Sequence, residues 1–216
     1  MFVKLFNKGN LLKSNETKLP YWTLQHGGVI GAFNCQGAGW DPKEKRIKGY
    51  SECYKLMSGS VHVTDIEWDQ KKEAAQMGEA EEYIIHLNQA EDLLLVSPES
   101  EAMQITIEPS SFEIFSFVPI KKLGTSIKFA PIGLTNMFNS GGTIQELGYF
   151  DSEAETCVKI DVKGGGNFLS YSNASPKKCF LNGAEVAFEW LVNGKLSLNL
   201  PWTEAAGGIS KVAFLF

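Results

Sequence analysis

From Val29 onward, short runs of apolar and β-branched residues recur at close intervals, bounded by clusters of Gly, Pro, Asn and Ser. Runs punctuated in this way read as strands. The pattern predicts them over Val29–Phe33, Val61–Trp68, Tyr83–Leu87, Leu93–Val96, Ala102–Ile107 and Glu113–Val118. In the second half it predicts Ile144–Tyr149, Cys157–Val162, Phe168–Tyr171, Lys178–Leu181, Glu185–Leu191, Lys195–Leu200 and Lys211–Leu215. The alternation is cleanest in LNGAEVAFEWLVNGKLSLNL. Val186, Phe188 and Trp190 share one face and Glu185, Ala187 and Glu189 the other, as a strand buried on one side requires. Leu196, Leu198 and Leu200 continue the pattern on the next strand. Asn182-Gly183 and Asn193-Gly194 suit turns with positive φ at both central residues, the signature of a two-residue hairpin. This is antiparallel sheet.

One predicted strand changes phase. Val61 and Val63 are apolar on odd positions, Ile66 and Trp68 on even ones, so a bulge or bend is expected near Thr64–Asp65. Lys71–Glu82 is the one helix-like stretch, weakened by Gly78, and a mobile insertion fits it equally. FAPIGLTNMFNSGG, with Pro131, Gly133 and Gly141-Gly142, reads as a connector crossing from one half of a sandwich to the other. No helices alternate with the strands, which excludes a (β/α) barrel and a dinucleotide fold. The predicted fold is all-β, an antiparallel β-sandwich.

The 216 residues, 44% of them apolar, suffice for a proper core in one domain or two small ones. Net charge is −5 with both signs dispersed. Without a basic run, nucleic acid is not an expected partner. Nor is a membrane: no apolar stretch is long enough to span one, and MFVKLFNKGNLLK lacks a contiguous apolar region and a small-residue cleavage site. Cys35, Cys53, Cys157 and Cys179 are widely spaced and His26, His62 and His86 offer no metal-ligand spacing, so reduced, mostly buried thiols are expected and no metal. Asn15 and Asn173 match the glycosylation pattern formally; neither is expected to be used.

Few constellations carry chemistry. Asp65, Glu67 and Asp69 share one face of an extended segment about 7 Å apart by strand rise, yet they read as a solvated face with Ile66 and Trp68 turned inward. Lys163–Gly166 lacks the lysine and hydroxyl offsets of a phosphate cradle and reads as a hairpin loop. Ser110, Ser111 and Ser170 have no histidine at a motif-like spacing. Of the aromatic residues able to stack on sugars, Trp40, Tyr50, Tyr54 and Trp202 stand out, whereas Trp68 and Trp190 fit a core pattern.

The segments VIGAFNCQGAGW (Val29–Trp40), KFAPIGLTNMFNSGG (Lys128–Gly142) and VKGGGNFLSYS (Val162–Ser172) carry a resemblance. From Gly27 to Phe216 the chain resembles the C-terminal portion of the raffinose-synthase-like family of plant galactosyltransferases and alkaline α-galactosidases. GYSECYK, VHVTDIEWDQ and AEEYIIHLNQAEDL bring it near the stachyose-synthase branch. Residues 1–26 match the family poorly.

The resemblance implies a retaining transfer of an α-galactosyl group from galactinol to raffinose, with two aspartates of a (β/α)₈ barrel as nucleophile and acid/base. A barrel takes about 250 residues and only 26 precede Gly27, so this chain is expected to lack it and to be a truncated product or a gene model opened at an internal boundary, inactive alone. Galactinol, raffinose or stachyose would be partners of the full-length enzyme, and its own catalytic barrel the partner of this domain. The resemblance implies no cofactor and a cytoplasmic location. It also implies that Asn34, Gln36 and Trp40 dock the sandwich on the barrel or lie near its sugar site. Removed from a barrel, the domain is expected to expose an apolar patch. The alternatives are a stand-alone carbohydrate-binding or scaffold module and, within the family, a raffinose synthase or alkaline α-galactosidase.

Overall fold

The computed structural model describes residues 22–24, 26–34, 39–48, 56–66, 80–124, 126–152 and 155–216. Its first half contains β1 (Trp22–Leu24), β2 (Gly27–Phe33), β3 (Gly39–Asp41), β4 (Arg46–Lys48), β5 (Met57–Val61), β6 (Tyr83–Leu87), β7 (Asp92–Val96), β8 (Met103–Ile107) and β9 (Phe112–Pro119). Then come β10 (Lys121–Leu123), β11 (Ile127–Leu134), β12 (Ile144–Asp151), β13 (Thr156–Lys163) and β14 (Gly166–Ser172). The chain closes with β15 (Lys178–Leu181), β16 (Ala184–Val186), β17 (Glu189–Trp190), β18 (Lys195–Leu200) and β19 (Ile209–Leu215). All described pairings are antiparallel. The all-β sandwich expected from the sequence is present.

Three five-stranded sheets stack in layers: a first sheet β1-β2-β9-β6-β7, a middle sheet β10-β11-β14-β18-β17 and an outer sheet β12-β13-β19-β15-β16. Side-chain alternation divides the core among them. Tyr83 and Ile85 of β6 join Ile30, Phe115 and Phe117 beneath the β5–β8 ribbon, while Ile84 turns to the other face and, with its β9 neighbour Val118, meets Ala130, Ile132 and Leu169 of the middle sheet. The middle sheet's far face carries Phe129, Phe168, Leu196 and Leu198 into a third core with Val158, Ile160, Val212 and Phe214. Strands buried on both faces lose the polar half of their alternation, which is why FEIFSFVP reads as nearly continuous apolar sequence.

Several local expectations are corrected. The strand expected over Val61–Trp68 ends at Val61, and the phase break is met by a single 3₁₀ turn, Val63–Asp65. His62 caps that turn: Asp65 Oδ2 accepts from His62 N at 2.8 Å, and His62 Nδ1 accepts from Thr64 N at 3.3 Å. A carbonyl can only accept, so the 3.0 Å contact of His62 Nε2 with Ser100 O places the ring proton on Nε2. Ile66 returns to the core. The connector expected over FAPIGLTNMFNSGG begins later than expected: Phe129–Leu134 belongs to β11, buried in the middle sheet, and only the stretch after it, through a 3₁₀ turn at Ser140–Thr143, crosses to the outer sheet.

The strand expected over Glu185–Leu191 is two pieces in two sheets, β16 beside β15 and β17 beside β18. Asn182 (φ 51°) and Gly183 (φ 87°) form the expected turn, but at the second hairpin only Gly194 has positive φ. There Gly194 N donates to Leu191 O at 2.8 Å and Leu191 N to Lys195 O at 2.9 Å, a longer loop ending in a glycine bulge. Lys163–Gly166 is no hairpin loop either, since β13 and β14 lie in different sheets and the segment arches between them. The helix expected over Lys71–Glu82 lies mostly outside the described residues; Ala80, Glu81 and Glu82 are not helical.

Candidate functional site

Asn34 directly follows β2, and the structure makes it an interior residue, 2% exposed. Its backbone N donates to Ser111 O at 3.0 Å and its carbonyl accepts from Ser110 N at 3.1 Å. Its Nδ2 donates to Ile107 O at 3.0 Å, so one side chain joins the end of β2 to the turn between β8 and β9. Replacing Asn34 by Ala is expected to cost about 1–3 kcal/mol, because the Ile107 carbonyl loses its buried donor. Urea unfolding of the two chains checks this, and an unchanged midpoint would show that the bond holds nothing.

Trp40 goes the other way. On β3, opposite Ile47 of β4, it is 64% exposed. Asp41 pins the hairpin: its Oδ1 accepts from Lys43 N at 2.8 Å and Glu44 N at 3.1 Å, and its Oδ2 meets Lys48 Nζ at 2.6 Å. The Lys48 hydrogen bond, then the Glu44 and Lys43 amides, hold the Asp41 carboxyl down at about 2. The hairpin therefore presents an apolar cross-strand pair on a braced, charged frame. Gln36, the third residue singled out with Asn34 and Trp40, lies outside the described residues, as do Glu67, Asp69, Trp68, Tyr50, Tyr54, Asn15, Cys35 and Cys53.

Three of the described acids, Asp65, Asp151 and Glu113, brace the fold. Asp65 caps its 3₁₀ turn. Asp151 accepts from Thr156 Oγ1 at 2.7 Å and Gly124 N at 2.7 Å. Glu113, the most buried of the described carboxylates, was passed over in the sequence because it merely begins a strand. Its two oxygens accept from Gln89 N at 2.8 Å and Ala90 N at 3.2 Å and so hold the β6–β7 turn. Cys157 and Cys179 are free thiols, and burial pushes both upward, Cys179 to about 12, which keeps them protonated at neutral pH. Asn173 uses both ends of its amide, accepting from Lys128 N at 2.7 Å and donating to Ser126 O at 2.8 Å. Among the described residues no group of three or more His, Cys, Asp or Glu is placed to hold a metal, and no helix is long and apolar enough to cross a membrane.

What sequence reasoning missed is an aromatic corner beside Asn34. Phe33 stacks on Phe112 with centroids 5.6 Å apart, and Phe138 meets Phe112 edge-on at 5.8 Å. Phe138 belongs to the loop after β11, whose Asn136 Nδ2 donates to Gly165 O at 3.3 Å while Thr135 N donates to Asn167 O at 2.9 Å. The three segments that carried the resemblance thus converge on one region. The available signal was a phenylalanine inside the turn-rich TNMFN run, where no core position was expected.

A raffinose synthase or seed imbibition protein Sip1 family model matches residues 4–200. The chain is 57% identical to a stachyose synthase of Pisum sativum over 96% of its own length and 24% of the relative's. It is 48% identical to a probable galactinol–sucrose galactosyltransferase 4 of Arabidopsis thaliana over 98% of its length and 24% of the relative's. A galactinol–sucrose galactosyltransferase of Oryza sativa subsp. japonica is 29% identical over 95% of this chain. The chain spans about a quarter of the length of the curated relatives it matches. With nearly all of its length so matched, the chain belongs to the raffinose synthase and seed imbibition protein family.

Proposed function

We propose that this chain is the C-terminal β-domain of a galactosyltransferase that moves an α-galactosyl group from galactinol to raffinose. The observation that carries the reading is the 57% identity to a stachyose synthase over nearly the whole chain, combined with coverage of only 24% of that relative. In the reading, transfer takes place on a barrel outside these residues, through two carboxylates. Asp65, Glu113 and Asp151 accept hydrogen bonds from the chain's own backbone, which suits a supporting lobe. In this reading Asn34 shapes the interior of that lobe, and the exposed Trp40 serves contact with the partner domain. Galactinol, raffinose and stachyose are partners of the whole enzyme, with no cofactor required for exchange through a carboxylate. We further propose a cytoplasmic enzyme, as the resemblance implies.

The test is a chimera in which this chain replaces the matching quarter of the pea stachyose synthase. Transfer from galactinol to raffinose at a rate near that of the parent is expected, with none from the isolated chain. A chimera that folds but transfers only to sucrose would favour the raffinose-synthase branch. Robust transfer by the isolated chain would overturn the reading.

A further inference from the structure

We infer that the corner built from the ends of β2, β9, β11 and β18 is the face on which this domain seats against the remaining polypeptide of the full-length enzyme. The inference rests on the domain reading above and adds the face and the residues that make it. Its centre is Phe138, 62% exposed, lying edge-on to Phe112. Met137 precedes it and is exposed as well. Trp202, 73% exposed, follows Leu200, which pairs with Gly166 beside the Asn136–Gly165 bond. Leu56, also exposed, precedes Met57, which pairs with Ile107, the residue whose carbonyl Asn34 holds. The Trp40 hairpin is reached five residues after Asn34. Large exposed apolar side chains from distant parts of the sequence therefore gather around one corner, the pattern expected of an interaction face.

The polar side chains at this corner favour a protein occupant over a sugar. Asn34, Asn136, Thr135 and Asn139 direct donors or acceptors into the chain's own backbone, at Ile107 O, Gly165 O, Asn167 O and Gly142 N. A saccharide site needs polar groups converging outward around its stacking ring; here the side chains turn inward and leave rings outside. The occupant is the rest of the enzyme, because the curated relatives carry about three further quarters of chain beyond the matched part.

The experiment uses the pea chimera with Phe138→Ser and Trp202→Ser together, and Val192→Ser as control. Val192 is exposed at the turn before β18, a strand's length away from Trp202. Removing two seated aromatic rings is expected to speed protease cleavage between the two parts by about tenfold or more and to reduce transfer, whereas Val192→Ser changes neither. The same pair in the isolated chain lowers its melting temperature by only a few degrees, through the lost Phe138–Phe112 edge contact, and leaves it folded, which separates a lost interface from a damaged fold. Equal cleavage of all chimeras, or an equal effect of Val192→Ser, would overturn the face while leaving the domain reading intact. A native-sequence chimera that folds but fails to transfer, beside an active parent, would overturn the domain reading itself. Two results with the isolated chain would also overturn the proposal: a dimer in sedimentation that the pair dissociates, or saturable raffinose binding in calorimetry that the pair abolishes.

Discussion

Replacing Gly133 by Ala is expected to remove more than about 3 kcal/mol of stability, by adding a steric clash to backbone strain that alone costs about 1–3 kcal/mol. Gly133 has φ +108°, outside the range that side-chain-bearing residues adopt readily, and a Cβ there would lie 2.0 Å from Ser140 O. That carbonyl cannot retreat easily. Thr143 Oγ1 donates to it at 2.6 Å and accepts from Leu134 N at 3.2 Å, which locks the Ser140–Thr143 turn onto β11. The glycine also serves the layering. Phe129 and Leu134 differ in position by an odd number, so a regular strand would turn them to opposite faces. The irregularity between Pro131 and Gly133 lets both reach the outer core, while Ala130 and Ile132 reach the other. A domain of this size is stable by only about 5–15 kcal/mol, and its melting temperature falls by about 2–4 °C per kcal/mol. Circular dichroism should therefore show a drop of roughly 6 °C or more, or no folded chain. A drop under about 2 °C would mean that β11 accepts a side chain there without cost.

Acid should weaken the fold through His86 before the carboxylates titrate. His86 is 2% exposed on β6, opposite Ser116 of β9, on the face turned to the middle sheet. Its Nδ1 is buried without a hydrogen-bond partner. Burial first, then the Lys195 ammonium, lowers its pKa from 6.5 to about 4, and Glu91 opposes this weakly. Lys195 comes close because its Nζ donates to Glu91 O at 3.3 Å, while Asn88 at the same turn donates to Thr135 O at 3.5 Å. The β6–β7 turn thus lies across the middle sheet.

The folded chain binds this proton less readily than the unfolded one, so the contribution is full above pH 6.5 and falls as pH drops toward 4. Each pKa unit is worth about 1.4 kcal/mol, so the loss is on the order of 3 kcal/mol. Urea titrations of native chain and His86→Leu across this range isolate it: the variant's stability should be flat where that of the native chain slopes. Parallel curves would show that the imidazole takes its proton without penalty.

Much of the fold was legible because exposure alternates wherever a strand meets water, as along Lys195–Leu200, which was read with the bounds observed. Tyr83–Leu87, also read with its observed bounds, was legible instead as a short apolar run, because both of its faces are buried. β11 was missed because Pro131 and Gly133 look like breakers, yet β10 stops pairing at Phe129 and leaves Pro131 with β14 as its sole neighbour. The break inside Glu185–Leu191 was invisible for a different reason. Val186, Phe188 and Trp190 all pack on the one core between the middle and outer sheets, so the alternation survives a change of sheet. At the site, Asn34 drew notice through its glycine-rich surroundings, but its partner Ile107 lies 73 residues away and nothing local announces the bond. Phe138 was legible only as composition, because its exposure depends on where the following turn is anchored.

That same crossing at Ala187–Phe188 works as a clasp. One short length of backbone is woven into two opposing fabrics, hydrogen-bonded to β15 on one side and β18 on the other, with Trp190 Nε1 fastened to Ser172 O at 2.9 Å. Neither layer can peel away without unpicking the other. Amide protons of β15 and β18 should exchange with heavy water in step, even though these strands share no ladder.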